Sequence, residues 1–274
     1  VLRQVPKDVK SRDDAMPRGR RDVSGEVQVA GDEARYKEGP PTGRILLVTK
    51  LKGGSGATTT CRELAAAAVA HGLDVALVDL DGQGGLTRWW SRRTRDAEDP
   101  RPSPTLLEIP VERLPMAATG LRQRYGLTVI DSPPSVHAAI RAVAAVSDLA
   151  LVPSRPTVDD LDAVGSVTRL LRGTCDQGFA LTQVPGGRRS RDGAEALQRL
   201  AALAPVFGST SFRLDYPRPA AKGSTGYEFG TMAHLEVAAL WKAVAERLGI
   251  ASSRDDAIQR VHRTAIMEAR HGAA

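Results

Sequence analysis

The segment from Ile45 to His71 constrains this chain more than any other. Ile45-Leu46-Leu47-Val48-Thr49 is a short apolar run without alternation, the pattern of a strand covered on both faces. A turn carrying Gly53, Gly54 and Gly56 follows, and then an alanine-rich helical stretch from Thr58 to about His71. The first N–H groups of a helix have no partner within it, and the helix dipole adds positive potential there. Glycines let the preceding turn wrap closely around an anion without Cβ clashes. Strand, glycine turn and helix, in that order, make a cradle that suits a phosphate.

The rest of the chain repeats the strand–helix alternation. Strands are predicted at 74–79, 105–109, 127–131, 149–153 and 179–184, with helical patterns at about 111–124, 136–147, 158–172, 191–203 and 231–248. This spacing predicts an α/β fold, a mostly parallel sheet with helices on both faces. Aromatics make up only 4% of residues, so Ala, Val and Leu must fill the core. Residues 1–43 are charged and rich in Gly and Pro, and are expected to form a disordered tail. The nucleotide-binding domain is placed at 44–250. Residues 251–274 hold a C-terminal helix, with Ala257, Ile258, Val261, Ala265, Ile266 and Ala269 on one face between Ser253 and Arg270. Trp89 and Trp90 fit either a partner contact or core packing.

Several classes are disfavoured. Cys61 and Cys175 make no disulfide framework, and the five histidines have no metal-ligand spacing. No apolar run is long enough to span a bilayer, and no signal peptide is visible, so a cytoplasmic location is expected. Net charge is +6, which suits a polyanionic partner.

Further chemistry lies downstream of the loop, and in a fixed order. Leu77-Val78-Asp79-Leu80-Asp81-Gly82-Gln83 ends the second strand with two carboxylates. Val129-Ile130-Asp131-Ser132-Pro133-Pro134-Ser135 delivers one Asp at the end of an apolar strand, the Walker B arrangement. Leu151-Val152-Pro153-Ser154-Arg155-Pro156-Thr157 precedes Asp160-Leu161. Together with Lys52-Gly53-Gly54-Ser55-Gly56-Ala57-Thr58-Thr59, these segments resemble the deviant Walker A loop (K-G-G-x-G-K-[ST]) and the partner motifs of the ParA/MinD family of P-loop NTPases.

The resemblance covers about Arg44 to Ile250 and implies a set of roles. Residues 52–59 would bind nucleotide. Lys52 would cross to the partner subunit's nucleotide in a sandwich dimer, and Asp81 would position the attacking water. Thr58, Asp81 and Asp131 would hold Mg²⁺, the last through its second shell, and Asp79 would support the loop. Thr59 would reach the α-phosphate. ATP and Mg²⁺ are the implied cofactors. Thr182, with Gln183 beside it, stands where the family offers an Asn to adenine. The implied function is a ParA-like switch for plasmid or chromosome partition: a homodimer when ATP-bound, binding DNA without sequence preference, associated with the nucleoid and stimulated by a ParB-like protein. Arg188, Arg189, Arg191, Arg218 and Lys222, with Arg213, are the basic residues suited to DNA phosphates. The C-terminal helix lacks the large apolar groups of a membrane-targeting helix, so no membrane partner is expected.

One departure matters most. Ala57 stands where the family has the P-loop lysine, whose charge-assisted contact is worth roughly 1.5–3 kcal/mol. Three readings follow: a sporadic or engineered replacement, another cation such as Lys52 or a nearby Arg in its place, or a member that binds weakly and switches without turnover. A hydrolysis-defective scaffold and an ATP-dependent metabolic ligase of the same superfamily are the alternatives to a partition ATPase.

Overall fold

The computed structural model describes residues 3–4, 42–50, 52–95, 104–132, 137–186 and 190–250. The predicted C-terminal helix lies outside them, as do most of the N-terminal tail and Arg188 and Arg189.

Eight strands form one sheet. β1 (Arg3–Gln4), β2 (Arg44–Val48), β3 (Val75–Asp79), β4 (Thr105–Glu108), β5 (Leu127–Asp131), β6 (Leu149–Ser154), β7 (Asp176–Val184) and β8 (Val206–Ser211) are ordered β1-β4-β3-β5-β2-β6-β7-β8. β2 to β8 are parallel, while β1 pairs antiparallel with β4 at the edge. β1 falls where the sequence predicts only a tail, because a two-residue strand carries no periodicity to detect.

The helices are α1 (Ala57–Ala70), α2 (Gly85–Arg95), α3 (Leu114–Arg124), α4 (His137–Ala144), α5 (Val158–Leu171), α6 (Arg191–Ala201), α7 (Pro217–Ala220) and α8 (Met232–Leu248). Side chains alternate along each strand, so β2 feeds two cores. Leu46 and Val48 pack with α1, α2 and α8, while Ile45 and Leu47 pack with α3, α4, α5 and α6. The result is a three-layer α/β fold. Helix starts follow local chemistry: Thr157 caps α5, Ser190 caps α6 and Thr231 caps α8. Gly249, at φ 65°, ends α8.

Besides β1, three elements lie outside the sequence expectations. β8 is a half-exposed Val-Phe-Gly-Ser-Thr-Ser edge strand without an apolar run. α7 is a single turn begun by Pro217. α2 is arginine-rich, yet Leu86, Trp89, Trp90 and Arg93 are buried along one face. This decides between the two readings of the tryptophans: both pack in the core.

α1 and α2 are tied to the loop before α8 by buried polar contacts. Arg93 holds Glu228 through two bonds of 3.0 and 2.6 Å. Glu63, on α1, accepts the N–H groups of Gly226 and Tyr227 at 3.0 and 2.9 Å. Burial pushes the Glu63 carboxyl up to about 7, against the pull of those two N–H groups. The folded state therefore keeps a proton that the unfolded chain gives up at about 4.5, and this stabilising share is lost as pH rises from there through about 7. Thermal melts across that range should show wild type losing stability relative to Glu63→Gln as pH rises. A pH-independent difference would contradict this assignment.

Candidate functional site

β2 lies at the middle of the sheet, where the strand order turns. The chain goes from β2 outward to β3 and β4, returns at β5, and then continues on the other side through β6, β7 and β8. Open α/β sheets bind ligands in the crevice at the carboxyl ends of strands flanking such a point. The glycine loop lies there, between β2 and α1.

Gly56 is the N-cap of α1 at φ 87°, and no side chain caps this end. Thr60 folds back onto the Gly56 carbonyl through its N–H (2.8 Å) and hydroxyl (3.0 Å), which fixes the first turn. The N–H groups of that turn are left without a side-chain acceptor, as an anion cradle requires. Gly54 also has positive φ, 85°. The loop is held from β7: the Thr182 hydroxyl donates to the Ser55 carbonyl at 2.7 Å, and Gln183 Nε2 donates to the Gly54 carbonyl at 2.8 Å. Thr182 is buried, so its hydroxyl serves the loop rather than a base.

Three residues expected to share a cation come together at the carboxyl ends of β3 and β5. The strand register sets Asp79 beside Asp131. Asp79 accepts both the N–H and the hydroxyl of Thr87, at 2.8 Å each, and so anchors the start of α2. The Thr58 hydroxyl donates to Asp131 Oδ2 at 2.6 Å. Asp81 accepts the N–H of Gln83 at 3.0 Å.

A fourth residue, missed in the sequence, completes the group. Lys50 follows β2, and its side chain is almost fully buried. Its ammonium donates to Asp81 Oδ2 at 3.0 Å and to Asp131 Oδ1 at 3.2 Å. Burial opposes the Lys50 charge, but Asp131 and Asp81 outweigh it and raise its pKa above the ordinary lysine value. Burial likewise pushes Asp81 up, yet the Gln83 N–H and Lys50 outweigh it and lower its pKa. The sequence alone does not point to it: Lys50 stands two residues beyond Val48, and only the pairing of Val48 with Asp131 brings it to that carboxylate.

The oxygen donors of Thr58, Asp81 and Asp131 have the chemistry a hard divalent ion prefers. The arrangement does not fit one, because the Lys50 ammonium already bridges both carboxylates. Among the described residues, no group of three or more His, Cys, Asp or Glu side chains is placed to hold a metal ion.

Ala57 is buried in the core beneath the loop. Lys52 faces outward, exposed, and pairs with Asp159 at 3.1 Å. Gly53 is exposed, and Ser55 is buried with its hydroxyl oxygen unpartnered. Beside the loop opens a cavity of about 200 Å³, lined among others by Gly56, Thr59, Gln183, Phe212, Tyr216 and Leu240. Thr59 thus lies between the cradle and a space of mixed apolar and polar lining.

The exposed basic residues Arg191, Arg218 and Lys222 follow β7 and β8 in the chain; Gly223, next to Lys222, packs on the backbone of Arg92 and Arg93 in the last turn of α2. Arg213 is committed to Glu236 at 3.0 Å and is only partly exposed.

Comparison with known proteins agrees with this geometry. Residues 46–225 match the CobQ/CobB/MinD/ParA nucleotide binding domain family. The chain belongs to this family. Among curated proteins, the maintenance of carboxysome distribution protein A of Gloeobacter kilaueensis is 36% identical over 121 residues, 43% of this chain and 52% of that protein. The chain thus matches about half the length of this relative. Among solved structures, a plasmid partition protein of Borrelia burgdorferi B31 bound to AMPPNP superposes with a TM-score of 0.60 at 17% identity, over 75% of this chain and 99% of that one. The septum site-determining protein MinD of Pyrococcus horikoshii OT3, complexed with Mg-ADP, gives 0.59 at 17%, over 76% and 98%. At these identities the likeness establishes a ParA/MinD-type fold. Among the described residues, no helix is long and apolar enough to cross a membrane.

Proposed function

We propose that this chain is a ParA-type nucleotide switch: it binds ATP at the glycine loop, dimerises face to face, and then binds DNA without sequence preference. The observation that carries this reading is the continuity of the uncapped α1 N-terminus with the cavity at Thr59. A nucleoside triphosphate laid with its phosphates in the cradle would place its base in that cavity. The outward Lys52 supports a role across a dimer interface, because it takes no part in its own cradle. The exposure of Arg191, Arg218 and Lys222 supports contact with DNA phosphates, with Arg188 and Arg189 belonging to the same proposal. A ParB-like stimulator and nucleoid association follow from the family role. The carboxysome distribution and plasmid partition relatives suggest positioning of a cargo.

Ala57 favours a switch driven by binding, with slow turnover. Asp81 remains the candidate to position water once the nucleotide is seated.

Light scattering and DNA retention with ATP, with ADP and without nucleotide test the proposal. ATP should convert monomer to dimer and promote DNA binding that weakens steeply with salt. Arg218→Ala should weaken binding on every DNA sequence alike and reduce the salt slope by about 1 per lost phosphate contact. Equal DNA binding with and without ATP would sink the switch.

A further inference from the structure

The site has a missing charge at one position and an extra one at another. Ala57 offers no cation to a polyphosphate, and its methyl group is packed into the core. Of the other cations around the loop, Lys52 pairs with exposed Asp159, and Arg155 gives Nε and Nη2 to Asp160, at 2.5 and 3.3 Å, while its Nη1 lies 3.7 Å from where a Cβ on Gly54 would stand. Lys50 alone, among the described residues at the loop, brings a buried ammonium inward.

Its position is specific. Asp131 is fully buried and has its two carboxylate oxygens divided between two donors, the Lys50 ammonium on Oδ1 and the Thr58 hydroxyl on Oδ2. Thr58 is the second residue of α1, in the turn whose N–H groups form the cradle. The ammonium is therefore one carboxylate away from the hydroxyl of that turn. Asp81, the second acceptor, is fixed by the N–H of Gln83. Buried charges persist when paired, and a buried Asp131 without a cation would carry a large desolvation penalty. An ion with two positive charges on the same carboxylates would have to displace the Lys50 ammonium from both of them.

We propose that Lys50 is the resident cation of this site. Its ammonium takes the place on Asp81 and Asp131 that a divalent ion would need, and it offsets the repulsion that those two carboxylates would exert on a polyphosphate. A nucleoside triphosphate then binds without requiring a divalent metal. This rests on the nucleotide-binding reading above and adds a metal independence that the reading does not contain.

The test is a titration of ATP into the full chain, by calorimetry, in Mg²⁺ and in EDTA, for wild type, Lys50→Met and Lys50→Arg. Wild-type affinity should differ between the two buffers by no more than about threefold. Lys50→Met should bind at least about tenfold more weakly in EDTA and recover when Mg²⁺ is added, whereas Lys50→Arg stays close to wild type in EDTA. Mn²⁺ alone, followed by electron paramagnetic resonance, should bind Lys50→Met and leave wild type untouched. Wild-type binding that appears only with Mg²⁺ overturns the proposal and leaves the nucleotide reading standing. No binding in either buffer overturns both. The wild-type comparison decides even if Lys50→Met does not fold.

Discussion

Trp89→Ala should destabilise the chain by about 3–5 kcal/mol, the largest loss expected from any single truncation in this core. Trp89 is the bulkiest of the fully buried side chains and belongs to the cluster that joins α1, α2 and α8 to the sheet. Its indole N–H donates to the Ser224 carbonyl at 2.9 Å, and the Arg93 guanidinium lies 5.4 Å from the ring centre. Truncation opens a cavity and also leaves the buried Ser224 carbonyl without this donor, a further cost of about 1 kcal/mol or more. The melting midpoint should fall by roughly 6–20 °C, given the usual slope for a chain of this size. Trp89→Phe, which keeps most of the volume, should fall much less. A Trp89→Ala chain that melts with wild type would place this residue outside the core and reopen the partner-contact reading.

Gly56→Val should abolish most nucleotide binding while leaving a folded chain. Gly56 caps α1 at φ 87°, and a β-branched residue is strained there by about 1–3 kcal/mol. Its Cβ would lie 3.5 Å from Gln183 Nε2 and 3.6 Å from Thr182, the two side chains that hold the loop from β7. Those are ordinary contact distances for Cβ itself, so it is the positive φ, together with the two methyl groups beyond Cβ, that drives the loop to shift, and the cradle depends on its shape. Affinity for ATP should drop by at least about tenfold, with a fall in the midpoint of roughly 2–12 °C. A Gly56→Val chain that binds ATP as wild type does would remove the cradle from the account.

The fold was largely readable because parallel strands covered on both faces leave continuous apolar runs. β2, β3, β5 and β6 are such runs, and each stands within a residue of its expected limits. β8 escaped because an edge strand faces solvent and needs no such run. α2 escaped because its arginines mask the period set by Leu86, Trp89, Trp90 and Arg93. The loop and its carboxylates were legible from residue type and order, since only glycine serves at positions such as Gly54 and Gly56. The cation that neutralises those carboxylates was not. Lys50 lies outside the motif that defines the loop, and its meaning depends on β2 standing beside β5, which brings it to Asp131. The role of Thr182 was hidden for the same reason: β7 runs behind the loop, so its hydroxyl is spent on the Ser55 carbonyl.

The glycine loop is expected to bind a nucleotide although Ala57 stands in the lysine position. Calorimetric titration of ATP into the full chain, with Gly56→Val as the control, tests it most directly. Wild type should show one saturable site per chain, and the variant should lose that heat. Absence of binding heat in a folded wild-type chain, or identical isotherms for the two, would contradict it.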